Sequence, residues 1–130
     1  MMILGTGIDI VENSRLKSLL TKKKLKFKNK IFSQREIIRC EEKTNFINCY
    51  SKRFAAKEAF VKSLGTGFKN NINYKDIEVS NDLLGKPFLI LSKKVINKMK
   101  NIFKVKKFYI FLSISDEKKY SIASVIISGK

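Results

Sequence analysis

Two carboxylates stand where the chain is otherwise apolar, and they are the first candidates for chemistry. Asp9 interrupts the apolar run Ile3–Val11, and Glu58 lies in a long helical pattern rich in alanine and aromatic residues. Burying a carboxylate is unfavourable unless it is paired or binds a cation. Asp9 could instead point outward from an edge strand, and Glu58 could pair with Lys62 across one helical turn, which contributes only ~0.2–0.5 kcal/mol. The functional alternative is a hard-metal ligand or a catalytic carboxylate.

Basic side chains surround Glu58 in the sequence. Arg53 and Lys57 lie one turn apart, Lys62 continues the basic row, and the segment Gly65-Thr66-Gly67 follows. Such a segment can present backbone N–H groups to an anion, although the dipole at a helix C-terminus disfavours phosphate, so lysines must supply the positive charge. The P-loop pattern is absent. Two carboxylates with basic side chains suggest a magnesium–phosphate site, because Mg²⁺ takes one or two protein carboxylates and completes its octahedron with phosphate oxygens and water.

The composition limits which chemistry is possible. The chain has 130 residues, with 28 Lys and Arg, 11 Asp and Glu, a net charge of +17 and no histidine. A Ser-His-Asp triad and imidazole acid–base catalysis are therefore excluded, and proton transfer must use carboxylates, Lys, Tyr, Cys or metal-bound water. The charge predicts an acidic partner, although a compositional preference for Lys, Ile and Asn explains many surface lysines equally well.

Length and cysteine content predict one soluble domain. Residues 1–130 suit a single domain with a modest core. Cys40 and Cys49 make neither a disulfide framework nor a metal site, so reduced thiols in a cytoplasmic protein are expected. The N-terminal segment lacks the basic start of a signal peptide, and no apolar run approaches the ~18 residues of a membrane span.

The elements that must position the candidate residues indicate an α+β fold. Ile3–Val11 is predicted as a buried strand in which Gly5 and Gly7 allow close backbone approach. Asn45–Leu64 is predicted as the main helix, and Gly65 ends it. We expect this long helix to pack on an antiparallel sheet.

Shorter elements complete the predicted domain. Ser33 and Glu36 form an S-x-x-E capping box that begins a helix. The lysine-rich segment Thr21–Lys30 is predicted as a solvated helix end and loop. The remaining predictions are a short helix through Leu16–Leu20, strands at Asp76–Ser80 and Phe88–Leu91, a Ser92-capped helix reaching Phe103, and an antiparallel hairpin of Phe108–Ser115 and Tyr120–Ser128.

Four segments, taken in order, make the chain recognisable. Residues 5–12 (GTGIDIVE) resemble the opening G-x-G-x-D-[IV]-x-E signature of the holo-acyl-carrier-protein synthases. Residues 53–67 (RFAAKEAFVKSLGTG) are similar to that family's second signature. Residues 76–79 and 85–87 resemble its third region, and residues 113–123 resemble its closing hairpin. Many members carry His where this chain has Asp116, so any role of that His does not apply here.

The resemblance implies a reaction and an assembly. Members transfer the 4′-phosphopantetheine arm of coenzyme A to a serine hydroxyl of apo-acyl carrier protein, and they release adenosine 3′,5′-bisphosphate. This activity serves fatty acid biosynthesis. The family's enzymes are cytoplasmic homotrimers with an α+β fold and active sites between subunits. The partners implied are therefore coenzyme A, an apo-acyl carrier protein and two further copies of the chain.

The resemblance also implies roles for individual residues. Asp9 and Glu58 correspond to the family's Mg²⁺ ligands, and Lys62 corresponds to a lysine near the reacting phosphate. Whether Glu58 or a Mg²⁺-bound water takes the serine proton is left open. The residues in regions that line the coenzyme A site are Arg53, Lys57, Gly65, Thr66, Gly67, Lys86 and Pro87. The basic residues expected to meet the acidic carrier protein are Arg15, Lys22 and Lys23.

A second hypothesis comes from a different class of protein, a small basic nucleic-acid-binding module. The charge of +17 and ten Phe residues favour it. No RNP, KH or zinc-binding pattern accompanies them. The Phe residues are also predicted on core faces rather than interleaved with an exposed basic stripe.

Overall fold

A computed structural model describes residues 1–22, 24–66 and 72–130. In chain order its elements are β1 (Met2–Glu12), α1 (Asn13–Lys22), α2 (Lys24–Ile31), α3 (Gln34–Glu41), α4 (Phe46–Leu64), a 3₁₀ turn (Tyr74–Asp76), β2 (Ile77–Asn81), β3 (Pro87–Leu91), α5 (Lys93–Phe103), β4 (Phe108–Asp116) and β5 (Tyr120–Gly129). Within the described residues, no helix is both long enough and apolar enough to cross a membrane.

The strands form two antiparallel units. β5 lies between β1 and β4 in a three-stranded sheet, and β2 pairs with β3 in a separate hairpin. The turn between β4 and β5 is closed by Glu117, whose N–H donates to the carbonyl of Tyr120 at 2.8 Å. α4 packs against β1 and β5 on one face of the larger sheet. The predicted α+β architecture, with a long helix on an antiparallel sheet, is confirmed.

The two faces of β1 have different surroundings. Successive strand residues point to opposite sides of a sheet, and Gly5, Gly7 and Asp9 face α4 while Ile8 and Ile10 are exposed on the other face. α4 can approach this strand because it presents small buried residues, which are Ala55, Ala56 and Ala59. The sheet therefore has a packed inner face and an apolar outer face.

Gly5 and Gly7 bring the backbones of β1 and α4 into direct contact. A Cβ atom added at Gly5 would lie 2.1 Å from the carbonyl oxygen of Ser63, and one added at Gly7 would lie 1.8 Å from that of Ala59. Both distances are far below van der Waals contact, and the neighbouring atoms belong to the helix backbone. A side chain at either position would force the strand and helix apart.

The expected consequence is that Gly7→Ala destabilises the protein strongly. Overpacking usually reduces stability by ~1–3 kcal/mol, and a clash with backbone should reach or exceed the upper end. Thr6→Ser, at the exposed neighbouring position, should change stability by less than ~1 kcal/mol. Urea denaturation followed by circular dichroism measures both, and equal midpoints for the two variants would contradict the close approach.

Most predicted elements are confirmed within one or two residues. Ser33 caps α3 with the predicted capping box, in which its hydroxyl accepts from Glu36 N–H and its own N–H donates to the Glu36 carboxylate. Gly65 ends α4 in the left-handed conformation, with φ of 78°. Ser92 caps α5 by accepting from the N–H of Val95 at 3.3 Å. Local capping signals therefore fixed the ends of these helices correctly.

The lysine-rich segment differs from the prediction. Instead of a solvated helix end and loop over Thr21–Lys30, helix α2 spans Lys24–Ile31. Ile31 is buried and Phe27 is half-buried, and the Phe27 ring packs 6.3 Å from that of Phe54. Two apolar residues one turn apart give this otherwise basic helix a side that anchors it to the core.

The cysteines also differ from the prediction. Cys40 and Cys49 form a disulfide across Cα atoms 5.4 Å apart, so the expectation of reduced thiols is wrong for this structure. Cys40 lies at the end of α3 and Cys49 in the first turn of α4, and both are buried. The short connection between these helices brings the side chains within the spacing that a disulfide requires.

Candidate active site

Asp9 faces the long helix rather than solvent. Its Oδ1 lies 3.1 Å from Nζ of Lys62, and the same ammonium donates to the carbonyl of Ile8 at 3.0 Å. The Asp9 side chain is only 16% exposed. The outward-pointing alternative for Asp9 is therefore wrong, because its position on the inner face directs the carboxylate to α4.

Glu58 is paired with a phenol. The hydroxyl of Tyr74 donates to Glu58 Oε1 at 2.7 Å, while the ammonium of Lys62 binds Asp9. The alternative in which Glu58 serves only as a surface partner of Lys62 is thus wrong. Burial raises the pKa of Tyr74, and the hydrogen bond to Glu58 and the negative charges of Glu58 and Asp9 raise it further.

The packing of β1 on α4 brings the two carboxylates to one place. Gly5 of β1 lies against Ser63 of α4, and Gly7 lies against Ala59. Because the strand numbers rise as the helix numbers fall, β1 and α4 run in opposite directions. Two strand residues advance roughly 6.6 Å, close to the roughly 6 Å of four helical residues. Asp9 consequently lies opposite the helical turn that carries Glu58. This proximity explains why the negative charges of both carboxylates raise the pKa of Tyr74.

The carboxylate site contains few metal-binding groups. Within the described parts of the chain, no cluster of three or more His, Cys, Asp or Glu side chains could hold a metal ion. A cation between Asp9 and Glu58 would receive two protein carboxylates and would need other oxygens. Such an incomplete donor set suits a cation that is also bound by phosphate and water.

The Lys57 side chain is buried and is not available to a ligand at the protein surface. It is 0% exposed, and Nζ donates to the carbonyls of Ile31 and Tyr74 and to Glu36 Oε1, at 2.7, 3.1 and 2.7 Å. Those bonds use all three ammonium donors. Burial lowers the pKa of Lys57, and the Glu36 carboxylate opposes that shift. The predicted contact of Lys57 with coenzyme A is corrected to a structural role.

Glu36 makes this buried pair a junction between elements. Its Oε1 accepts from Lys57 and from the N–H of Ser33, and its Oε2 accepts from the N–H of Val79 at 3.0 Å. The carboxylate therefore joins α3, α4 and β2. The capping box was visible in the sequence, but the link to Val79 joins residues 43 positions apart and could not be predicted locally.

Replacement of Lys57 by Met should destabilise the protein by about 3–5 kcal/mol, the usual loss when one partner of a buried ion pair is removed. Lys52→Met is the matched control on the same helix, because Lys52 makes only a partly exposed pair with Asp116 at 3.7 Å. That control should lose less than about 1 kcal/mol. Chemical denaturation compares the two, and similar losses would contradict the junction role of Lys57.

Arg53 contributes to a different site, which we call the cationic cleft. Its Nη2 donates to Asn81 Oδ1 at 2.8 Å and its Nη1 contacts Cys49 Sγ at 3.3 Å, while its buried Nε has no hydrogen-bond partner. The cleft has a volume of about 400 Å³. Its charged lining residues are Arg39, Lys43, Lys52, Arg53 and Asp116. Burial lowers the pKa of Arg53, and Glu36 opposes that shift.

The other residues predicted to bind coenzyme A lie in several places. Pro87 begins β3 and lines a smaller cleft of about 180 Å³ beside Arg53. Lys86 is exposed, and its N–H donates to Asp82 Oδ1. Gly65 is exposed and Thr66 is half-buried at the end of α4, whereas Gly67 lies outside the described residues.

Two of the basic residues predicted to meet a carrier protein, Arg15 and Lys22, line a third depression, which we call the basic–apolar cleft. It has a volume of about 660 Å³. Lys23 lies outside the described residues. Leu19, Phe27 and the Tyr74 ring supply apolar surface, and Lys26 and Lys30 extend the positive charge. The contribution of α2 was not predicted, because that segment was expected to be a solvated helix end and loop.

Tyr74 is the main residue that sequence reasoning missed. Its ring stacks on Phe54 with centroids 5.7 Å apart and an interplanar angle of 22°. An aromatic residue just before a predicted strand carries no chemical signal by itself. Its relation to Glu58 depends on the path by which the chain returns to α4.

The fold agrees with comparisons to known proteins. Residues 5–123 match the model of the 4′-phosphopantetheinyl transferase superfamily. The holo-[acyl-carrier-protein] synthase of Pelagibacter ubique is 52% identical, with 100% of both chains covered. The crystal structure of the Neisseria meningitidis synthase has a TM-score of 0.85 at 32% identity, covering 98% of this chain and 99% of that one. The Bacillus anthracis synthase, solved in complex with CoA (3′,5′-ADP), has a TM-score of 0.81 at 33% identity, with full coverage of both chains.

The chain belongs to the 4′-phosphopantetheinyl transferase superfamily, since the match spans most of its length. Within that superfamily its full-length relatives are holo-[acyl-carrier-protein] synthases, so the protein is an enzyme of that transferase type. The comparisons do not favour the nucleic-acid-binding alternative.

Proposed function

We propose that the protein transfers 4′-phosphopantetheine from coenzyme A to a serine hydroxyl of an apo-acyl carrier protein in the cytoplasm, as a step that supports fatty acid biosynthesis. The serine oxygen forms a bond to the β-phosphorus of coenzyme A. The bond to the oxygen bridging the two phosphates breaks, and adenosine 3′,5′-bisphosphate leaves. The observation that carries this proposal is the Asp9 carboxylate, bound by the Lys62 ammonium, on a strand that packs against the helix of Glu58, in a chain that matches the superfamily over residues 5–123.

Asp9 and Glu58 would hold Mg²⁺, which supplies Lewis-acid neutralisation of the phosphate charge. Two carboxylates fit the small number of protein ligands that Mg²⁺ accepts when phosphate and water complete the shell. Lys62 already binds Asp9 at 3.1 Å and is 56% exposed, so its ammonium can turn toward a phosphate oxygen. There it would stabilise the charge on the equatorial or bridging oxygens.

The serine must lose its proton as its oxygen attacks phosphorus. Glu58 is one acceptor, because its carboxylate lies at the site, where Tyr74 donates a hydrogen bond to Oε1. A water on the cation is the other. Either route needs the substrates placed in line, since phosphoryl transfer depends mostly on positioning and electrostatics.

The cationic cleft is proposed to bind the adenosine phosphates of coenzyme A. The buried Arg53 Nε lacks a hydrogen-bond partner. A buried donor without a partner destabilises the protein until a ligand or water accepts its hydrogen bond. Arg39, Lys43 and Lys52 add positive charge to the same lining. A phosphate group would accept the hydrogen bond from Nε and would balance the positive charge of the lining.

The basic–apolar cleft is proposed to dock the carrier protein. Arg15, Lys22 and Lys26 supply positive charge, and Leu19 and Phe27 supply apolar surface. An acidic amphipathic helix matches both features, with its charge chiefly increasing the rate of encounter. Tyr74, in the wall of this cleft, links the docking surface to Glu58.

The complete active site is proposed to form between subunits of a homotrimer. Among the residues that the structure describes, the cationic cleft and the basic–apolar cleft share no lining residue within one chain. The outer sheet face carries exposed Ile8, Ile10, Phe111 and Ile126, which a second copy can cover. β1 is the edge strand of its sheet, so a subunit that covers Ile8 and Ile10 on the outer face would lie across a single strand from Asp9 on the inner face.

The direct test incubates the protein with coenzyme A, Mg²⁺ and apo-acyl carrier protein and follows carrier-protein mass. We expect a gain of one phosphopantetheine that disappears with EDTA. Asp9→Ala or Glu58→Ala should lower kcat/KM by at least ~10², the usual size of lost electrostatic stabilisation. Glu42→Gln, at the exposed end of α3, is the control and should retain activity. Near wild-type turnover in either Ala variant would remove that residue from the metal site.

A second test addresses the shared site. Asp9→Asn damages the carboxylate site and Arg53→Met damages the cationic cleft, so each homotrimer should be nearly inactive. When the two chains are co-expressed, the mixed trimers should regain roughly one third of wild-type activity, because about one in three of their interfaces pairs an intact carboxylate site with an intact cleft. The recovered activity is measured on mixed trimers purified through two different tags. No recovery would place both halves of each site in one subunit.

A further inference from the structure

Tyr74 is held at its backbone, its ring and its hydroxyl. Lys57 Nζ donates to its carbonyl at 3.1 Å, and its ring stacks on Phe54 at 5.7 Å. The hydroxyl then meets Glu58 Oε1 at 2.7 Å. A phenol fixed at three points presents its O–H in a defined direction.

The backbone support is continuous with the core. Glu36 fixes the Lys57 ammonium at 2.7 Å, and both side chains are fully buried. The 3₁₀ turn that Tyr74 begins is closed by Asp76, whose carboxylate accepts from the N–H of Asn73 at 2.9 Å. The position of the Tyr74 hydroxyl is therefore set by the folded core rather than by a surface loop alone.

We propose that Tyr74 is a positioning residue that orients the Glu58 carboxylate for cation binding. The proposal rests on the metal role of Glu58 proposed above. A hydrogen bond to one carboxylate oxygen restricts rotation of the group and directs the other oxygen. Outer hydrogen bonds of this kind commonly change metal affinity or activity by about 10–100-fold when they are removed.

The variant Tyr74→Phe removes only the hydroxyl and retains the ring that stacks on Phe54. Titration calorimetry of the purified full-length enzyme saturated with coenzyme A, with Mg²⁺ and separately with Mn²⁺, measures cation binding without any reaction, because no carrier protein is present. We expect binding about tenfold weaker than in the wild type. In the transfer assay, kcat should fall while the KM for carrier protein stays unchanged, and the midpoint of urea unfolding should move little.

Tyr50→Phe is a matched control. Tyr50 is buried where Tyr74 is half-buried, but its hydroxyl also donates to a carboxylate, Glu41 Oε2 at 2.8 Å, and its ring also packs on a phenylalanine, Phe32 at 4.8 Å. This variant loses an equivalent hydrogen bond away from Asp9 and Glu58. It should leave Mg²⁺ and Mn²⁺ binding unchanged.

The possible outcomes separate the two proposals. Unchanged cation affinity in Tyr74→Phe overturns the positioning role while leaving the transferase function intact. A raised KM for carrier protein with unchanged cation affinity also overturns it, because Tyr74 would then act through the wall of the basic–apolar cleft. A wild-type enzyme that binds neither cation removes the metal site and the positioning role together, whatever the transfer assay shows. Weaker cation binding in Tyr74→Phe but not in Tyr50→Phe supports the positioning role, even if the wild type transfers nothing to the carrier protein.

Discussion

The direct backbone contact between β1 and α4 is the constraint on which the candidate active site depends. Gly5 and Gly7 let the strand approach to a distance at which Cβ atoms would clash with the carbonyls of Ser63 and Ala59. This contact decides which helical turn stands opposite Asp9. A wider separation would leave Asp9 and Glu58 unable to share the proposed Mg²⁺, because carboxylate ligands of Mg²⁺ must lie ~2 Å from the ion. The glycines are therefore part of the site although they carry no functional group.

The buried pair of Lys57 and Glu36 supports that arrangement from the other side of α4. Replacing such a pair with apolar residues is often neutral for stability, so its presence calls for a reason other than stability. Here the ammonium holds two backbone carbonyls, and one of them belongs to Tyr74. The pair thus holds the backbone of Tyr74 beside α4. Position, rather than charge, is what the Lys57 ammonium contributes to the active site.

Sequence reasoning succeeded where the signal was local. Helix ends at Ser33, Gly65 and Ser92 follow from short-range hydrogen bonding and backbone conformation, and all three lie as predicted. The anomaly of Asp9 in an apolar strand marked it as a candidate residue but left open which face of the sheet it occupies. Lys57 was misassigned because helical spacing places it in the same row as Arg53, whereas burial depends on α3 and β2, which are distant in sequence. Tyr74 could not be found, because its partner Glu58 lies 16 residues earlier in the chain.

The charge of the cationic cleft shows why a net charge of +17 need not indicate nucleic acid. Asp116 accepts from Asn48 Nδ2 at 2.8 Å and lies 3.7 Å from the Lys52 ammonium. On a surface that binds a polyanion by charge, such a carboxylate would lower the affinity, because it repels phosphate and neutralises one cation. Within a bounded cleft the same carboxylate fixes Lys52 and Asn48 in place, and the remaining cations keep the lining positive. The arrangement favours one small phosphorylated ligand held in a defined pose, because fixed polar groups add specificity where diffuse positive charge adds only attraction.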